Sequence, residues 1–273
     1  MSIGDAEIKT QERVIRFFKE PEILGYQYIG NLSDYPNKNI KEDRLRQYLR
    51  LKGYADKLID AAIMQLQQEA GNLSRGVYDA NKTVYSRLKY GIPVSESPEK
   101  SPVTVELIDE ANPLNNDFAI AEEVTVVEQS EKRPDLVVYL NGIAVAVIEL
   151  KRSGVSVSEG IRQNLTNQKN SFIQSFFTTI QFCMAGNESE GLRYGTLLTG
   201  EKFYMEWKDD GFKEHEEERD PVDVRISKTC EGIENKLLKQ IYAMFDKERF
   251  IDLIMNFVVF DKGIKKVCRY NQY

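Results

Sequence analysis

The sequence predicts an α/β fold: a central mixed β-sheet flanked by α-helices, with a helical C-terminal region. Three observations predict it. Residues 143–148 read Ile-Ala-Val-Ala-Val-Ile, apolar at every position, as a strand covered on both faces must be. Asn141-Gly142 separates that run from a first strand at 135–140, and Asn-Gly between β-forming runs is a strong hairpin signal. On either side lie segments whose apolar residues recur at helical spacing, so helices and strands share one chain.

In chain order, residues 6–19 form a first helix with Val14, Phe17 and Phe18 on its apolar side. Residues 26–29 are a short extended piece. Residues 41–51 and 55–70 are helices, closed by Gly53 and Gly71, and 83–89 is a shorter one stopped by Gly91 and Pro93. Residues 93–102, rich in serine, proline and charge, form a mobile loop. Strands are expected at 103–108 and 123–127, bracketing a turn at 112–117 and flanking the hairpin in one mixed sheet. Residues 156–177 hold one or two helices starting near Ser158. Strands follow at 182–185, 194–199 and 203–207, then helices at 230–245 and 248–256. Gly195 to Phe203 mimics the opening of a phosphate-binding loop but lacks Gly-Lys-Ser/Thr, so it reads as a hairpin turn. Tyr26, Tyr28, Phe176 and Phe177 could stack on unpaired bases, though at such spacings they read first as core.

The chemistry concentrates at the hairpin. Side chains alternate along a strand, so Glu149 and Lys151 share one face and Leu150 points to the other. Glu-x-Lys at a strand end also closes ordinary solvated sheets. What lifts it here is the buried run before Glu149 and Pro134-Asp135 at the start of the partner strand. For Asp135 to join Glu149, the pairing must be offset. A strict two-residue turn would set Asp135 opposite Ile148, on the wrong face. A three-residue loop with Gly142 at positive φ, followed by a bulge, pairs Leu140 with Ala144 and Asp135 with Glu149. The spacing therefore predicts the bulged turn, or a break of the first strand near Asp135. Asp135, Glu149 and the Leu150 carbonyl are then an oxygen set suited to Mg2+, which keeps waters and takes up substrate phosphate. Such a cation activates water and offsets charge on a phosphate ester. Lys151 would orient the attacking water or offset developing negative charge.

Composition bounds the alternatives. At 273 residues the chain can bury one large core or two small ones. No apolar run is long enough to span a membrane, and the N-terminus lacks a secretion pattern. Cys183, Cys230 and Cys268 are odd in number and far apart, which suits a reducing cytoplasm and argues against structural zinc. The single histidine, His215, sits in an acidic surface-like stretch, which nearly excludes Ser-His-Asp hydrolysis and multi-histidine metal centres.

Arg133-Pro134-Asp135, Asn141-Gly142 and Ile148-Glu149-Leu150-Lys151 together resemble the PD-(D/E)xK nuclease signature. They resemble most closely its version in the R (HsdR) subunit of type I restriction enzymes. The likeness continues through Gly160-Ile161-Arg162-Gln163-Asn164, Gln181, Asn187 and Arg193-Tyr194-Gly195-Thr196. It then runs through Asn256 to Phe260, Lys265-Lys266 and Arg269 to Tyr273. The resemblance implies a restriction-endonuclease-like core over residues 1–260, with 1–100 mainly helical, and residues 261–273 leading into an ATP-driven motor that lies outside the chain. It implies magnesium-dependent cutting of double-stranded DNA after ATP-driven translocation, in the cytoplasm, in a complex with methyltransferase and specificity subunits. It also implies Asp135 and Glu149 as metal ligands and Lys151 as the catalytic lysine. Gln163 matches the first position of a Gln-x-x-x-Tyr element, but Asn167 stands where tyrosine is expected. Gln163, Arg152 and Arg162 are candidates to contact DNA or support the site. Many such nucleases draw a further acid from an early helix, for which Glu42, Asp43, Glu69 and Asp79 are candidates.

The net charge of −6 runs against a free-standing duplex binder. Either a local basic surface exists, from Arg44, Arg46, Arg50 and Lys52 or from Lys151, Arg152, Arg162 and Lys169, or other domains hold the DNA. The second is preferred, with weak DNA affinity of the chain alone as its consequence. Two other classes stay open: a catalytically silent docking module that couples the motor to its partners, and a nuclease acting on RNA or branched junctions.

Overall fold

A computed structural model describes residues 3–97, 99–208 and 220–273, the first four of them as backbone only. His215 and its acidic neighbours lie outside the described residues. A six-stranded mixed sheet forms the centre, in the order β1-β4-β7-β8-β9-β10. Its members are β1 (Gln27–Asn31), β4 (Phe118–Glu122), β7 (Leu136–Leu140), β8 (Ile143–Leu150), β9 (Phe182–Asn187) and β10 (Gly191–Gly195). The β1–β4 and β8–β9 pairs are parallel and the rest antiparallel.

One face of the sheet carries α1 (Ile3–Lys19), α2 (Glu42–Leu51) and α3 (Asp56–Gly71). With them pack α7 (Lys236–Phe245) and α8 (Lys247–Asn256), all meeting Ile120, Val138, Ile148 and Met184 in the main core. The apolar side expected of the first helix is there, with Val14, Phe17 and Phe18 all buried. Val137, Tyr139, Val147 and Cys183 face the other way, onto a second core with Ile173, Phe176 and Phe177. Tyr26, Phe176 and Phe177 are thus packing residues, at about 1.5–3 kcal/mol per buried side chain of this size. None of the three cysteines is bridged. Parallel neighbours need a crossover, and between β8 and β9 it includes α5 (Val157–Asn167). That crossover lays α5 over the end of β8.

The hairpin departs from the expected turn. Asn141 and Gly142 both have positive φ, 52° and 81°, and Leu140 pairs directly with Ile143, the regular two-residue turn. The bulge lies inside the strand instead. Tyr139 pairs with Ala144 but Val138 pairs with Ala146, so Val145 is the extra residue. Two bonds to other segments cause it: the Ala144 N–H donates to the Asn39 carbonyl at 2.8 Å, and the Val145 carbonyl accepts the Gln181 N–H at 2.7 Å. These segments draw the backbone out of the ladder for one residue. The offset is the one the shared face requires. With Leu136 opposite Ile148, the next position along brings Asp135 level with Glu149. The buried turn is held from outside, since the Asn141 side chain donates to the Leu107 carbonyl at 2.8 Å and accepts the Asp117 N–H at 2.7 Å.

Other expectations are corrected. Neither 103–108 nor 123–127 joins the central sheet. The hairpin's neighbour is β4, an apolar run buried without alternation. Of the expected strands, β3 (Val103–Val105) pairs with β2 (Ile92–Val94), so the start of the expected loop at 93–102 is strand. β5 (Val126–Val127) pairs only with β6 (Glu131–Lys132). The helix at 83–89 extends to α4 (Val77–Tyr90). The strand at 203–207 is a single bridge, Tyr194 to Met205, after a short 3-10 turn. The helix at 230–245 is two, α6 (Pro221–Glu231) and α7, separated at Gly232 and restarted by the Asn235 cap on the Leu238 N–H at 3.0 Å. Beyond α8, β11 (Val258–Asp261) and β12 (Ile264–Val267) form a hairpin that periodicity alone did not show.

Candidate active site

Asp135 sits in the bend just before β7, and its Oδ2 accepts the Leu150 N–H at 2.6 Å across the hairpin. That bond fixes the carboxylate against the end of β8. Glu149 is fully buried, and no donor reaches either of its carboxylate oxygens; only the Asp135 carboxyl stands close enough to share a proton with it. An unpartnered buried carboxylate is costly, so its retention asks for a ligand. Lys151 leaves the strand beside them. Its ammonium donates to the Leu150 carbonyl at 2.9 Å and lies 3.2 Å from Glu7 Oε1 and 3.8 Å from Asp135 Oδ2.

The electrostatics follow from burial. Asp135 is pushed up to about 6, burial being the main cause, opposed by Lys151 and the Leu150 N–H and reinforced by Glu123 and Glu7. Burial, and then the neighbouring Asp135, hold the Glu149 carboxyl well above the usual carboxylate range. Burial pulls the Lys151 ammonium down, but Asp135, Glu149 and Glu7 outweigh it and leave it above its ordinary value. The pocket is short of positive charge when both carboxyls ionise.

Among the described residues, no group of three or more His, Cys, Asp and Glu side chains is placed to hold a metal ion by itself. What the site offers is two carboxylates and the Leu150 carbonyl. This partial oxygen set, with the orphaned Glu149 oxygens, fits a magnesium ion that keeps waters and takes substrate phosphate.

Two acids that sequence reasoning missed lie close by. Glu7 comes from α1. Glu123 follows β4 with a left-handed φ of 50°, uncommon outside glycine, and its N–H donates to the Asp135 carbonyl at 2.9 Å. Gln11, one helical turn beyond Glu7, donates to Glu122 at 3.0 Å and Glu123 at 3.1 Å and ties α1 to this end of the sheet. The four early acids considered do other work or stand apart. Glu42 pairs with Arg46 at 3.0 Å and Glu69 with Arg87 at 2.8 Å. Asp43 stands in the first turn of α2, and Asp79 lines a surface cleft with Arg75 and Arg87. Among the described residues, none of the four contacts Asp135, Glu149 or Lys151.

The supporting candidates divide. Gln163 is half-buried on α5, with no hydrogen bond to its side chain among the described residues. Arg162 is spent on Glu201, at 2.9 and 3.0 Å. Arg152 is half-buried beside the site with no ion pair among the described residues. Asn167 is buried near the end of α5. The start of α5 is anchored by Asn187, which donates to the Val155 carbonyl at 2.7 Å, and by Glu190, which accepts the Val157 N–H at 3.0 Å. Gly160 lets the helix lie close, because a Cβ there would stand 2.9 Å from Ala185 Cβ and 3.3 Å from Glu149 Cβ. The first basic group is neutralised in place: Arg44 on Asp117, Arg46 on Asp60, Arg50 on Asp56 and Lys52 on Asp109, all at 2.6–2.8 Å.

Comparison with known proteins places this geometry in context. Residues 7–203 match the family model described as type I restriction enzyme R protein N terminus. The chain is 24% identical over 278 residues to a Methanocaldococcus jannaschii protein named putative type I restriction enzyme MjaIXP endonuclease subunit, covering 92% of this chain and 25% of that one. It is 24% identical over 204 residues to the type I restriction enzyme HindI endonuclease subunit of Haemophilus influenzae, covering 71% of this chain and 18% of that one. The chain thus spans about a quarter or less of these relatives' length.

Proposed function

The chain belongs to the family of type I restriction enzyme R protein N termini, and from that premise we propose that it is a magnesium-dependent endonuclease domain hydrolysing phosphodiester bonds of double-stranded DNA. The observation that carries the proposal is Glu149, buried with two unpartnered oxygens and level with Asp135 across the bulged hairpin. Asp135, Glu149 and the Leu150 carbonyl would hold the ion. When bound, magnesium supplies positive charge to the scissile phosphate and lowers the pKa of coordinated water. Asp135 stays fixed by the Leu150 N–H, so its free oxygen is aimed before substrate arrives. Lys151 presents a protonated amine beside both carboxylates, able to orient water or to offset charge on the phosphate. Glu7, held on the Lys151 ammonium, keeps that amine in place.

In this reading DNA is delivered by an ATP-driven motor in the longer protein, in a cytoplasmic complex with methyltransferase and specificity subunits. The neutralised arginines of α2 and the net charge of −6 support delivery over capture by the chain itself. No helix among the described residues is long and apolar enough to cross a membrane.

The test is plasmid cleavage by the full-length subunit in its complex, with ATP. Wild type should cut with Mg2+ and not after chelation. Glu149→Gln, close in shape but without charge, should lose cutting by at least about a hundredfold, in the range for removing a key charge-stabilising group. Cutting by Glu149→Gln at the wild-type rate would overturn the assignment.

A further inference from the structure

We infer that Lys265 is a positioning residue for the nuclease site: its ammonium fixes Gln181, and Gln181 holds the β8 bulge that brings Asp135 level with Glu149. This rests on the reading of Asp135 and Glu149 as one shared metal site.

Lys265 stands on β12, only 2% exposed between the exposed Ile264 and Lys266. Its ammonium donates to Gln181 Oε1 at 2.6 Å, to Asn81 Oδ1 at 2.8 Å and to the Ile180 carbonyl at 3.2 Å. Gln181 is fully buried, and each of its other polar groups is engaged as well. Its Nε2 donates to the Thr179 carbonyl at 2.7 Å, and its carbonyl accepts the Thr196 hydroxyl at 2.6 Å. Its N–H donates to the Val145 carbonyl at 2.7 Å, one of the two bonds that draw Val145 out of the ladder. Asn81 closes the cage from α4, its amide donating to the Phe177, Thr178 and Ile180 carbonyls at 2.8–3.0 Å. The hairpin that carries Lys265 has its own seat on α4. Phe260 of β11 packs on Tyr78 and Tyr85, with ring centroids 5.5 and 5.3 Å apart, and the Tyr85 hydroxyl donates to the Val258 carbonyl at 3.3 Å.

A lysine is a costly way to fill this place. All three acceptors are neutral, and Lys265 makes no ion pair among the described residues. Burial pulls its amine well below the ordinary lysine value. An apolar side chain of similar length would fill the space without that cost. What the lysine adds is direction, because the three N–H groups of an ammonium meet three acceptors at once. The shortest of those bonds goes to Gln181. With Gln181 released, the Val145 carbonyl loses its outside anchor and Val145 can return to the ladder. Taking the extra residue back into β8 moves the far end of the pairing by one position. Asp135 then stands opposite Ile148, and Glu149 turns to the other face.

The test uses the full-length subunit in its complex, with Mg2+ and ATP. Plasmid cleavage, ATP hydrolysis and backbone amide exchange are followed on one preparation. Lys265→Met should slow cutting by about ten- to a hundredfold, the range for losing a group that orients a site from behind. ATP hydrolysis should stay at the wild-type rate. Exchange should quicken at residues 144–148 and 180–182, while the buried amides of residues 45–49 in α2 keep their wild-type protection. Glu149→Gln should not cut. Wild-type cutting by Lys265→Met, with none by Glu149→Gln, overturns the positioning role alone. Slowed cutting with unchanged exchange at residues 144–148, or with a parallel fall in ATP hydrolysis, also overturns it, since Lys265 would then act elsewhere. Exchange quickened throughout the chain does the same, because Lys265 would then hold the whole fold. No cutting by wild type, or equal cutting by Glu149→Gln, overturns both this role and the metal site beneath it.

Discussion

Lys151→Ala leaves the full-length subunit in its complex unable to cut plasmid, slowed by on the order of 10²–10³-fold or more, while ATP hydrolysis continues. The ammonium lies 3.8 Å from Asp135 Oδ2 and is largely buried, its side chain 13% exposed. At that depth a charge is weakly screened and acts strongly on what lies beside it. Its removal takes away the only cation seen against Asp135 among the described residues. Burial then pushes both carboxyls further toward their neutral forms, so metal affinity falls together with the chemical step. Lys151→Arg does not rescue, because a planar fork cannot replace a compact ammonium seated on the Leu150 carbonyl. Cleavage and ATPase rates measured on the same preparation decide the matter. Equal cutting by Lys151→Ala refutes the role, and a parallel fall of both rates assigns Lys151 to coupling instead.

Asp135→Asn stabilises the metal-free chain at pH 7.5. Folding raises the Asp135 carboxyl from its ordinary 3.8 to about 6, mainly by burial. A carboxyl raised by folding favours the fold below pH 3.8 and loses that contribution as pH climbs to about 6. At about 1.4 kcal/mol per pH unit, the loss is on the order of 3 kcal/mol at neutral pH. Glu149, raised in the same direction, adds to it. Asparagine carries no such charge and its Oδ1 can still accept the Leu150 N–H. At about 2–4 °C per kcal/mol for a chain near this size, the variant melts roughly 5–10 °C higher in chelator at pH 7.5, and the gap narrows near pH 4.5. Magnesium raises the wild-type midpoint at pH 7.5 and leaves Asp135→Asn unmoved. Parallel pH profiles for the two proteins, with no metal response in either, contradict the account.

The reach of sequence reasoning follows the range of the forces involved. Asn141-Gly142 and the apolar strand after it are local signals, and the hairpin formed where they stand. The bulge could not be located, because Asn39 and Gln181 set it from far along the chain. The strand Phe118–Glu122 has no alternation to betray it, since it is covered on both faces. The helix break after Glu231 was missed although its signals are local: Asp220-Pro221 opens one helix, and Gly232 and Asn235 divide it from the next. At the site, Asp135, Glu149 and Lys151 stood out because strand periodicity puts chemistry at a fixed place. Glu7 and Glu123 have no such mark. A charged helix and a left-handed residue after a strand become neighbours of Lys151 and Asp135 only through tertiary packing.

The central claim is that Asp135 and Glu149 share one divalent ion. A crystal of the chain grown with Mn2+, measured at the manganese absorption edge, tests it most directly. The account predicts an anomalous peak within about 2.0–2.5 Å of carboxylate oxygens from both residues, as expected of a hard divalent ion on oxygen. A peak bound by other residues, with Glu149 still unliganded, contradicts it.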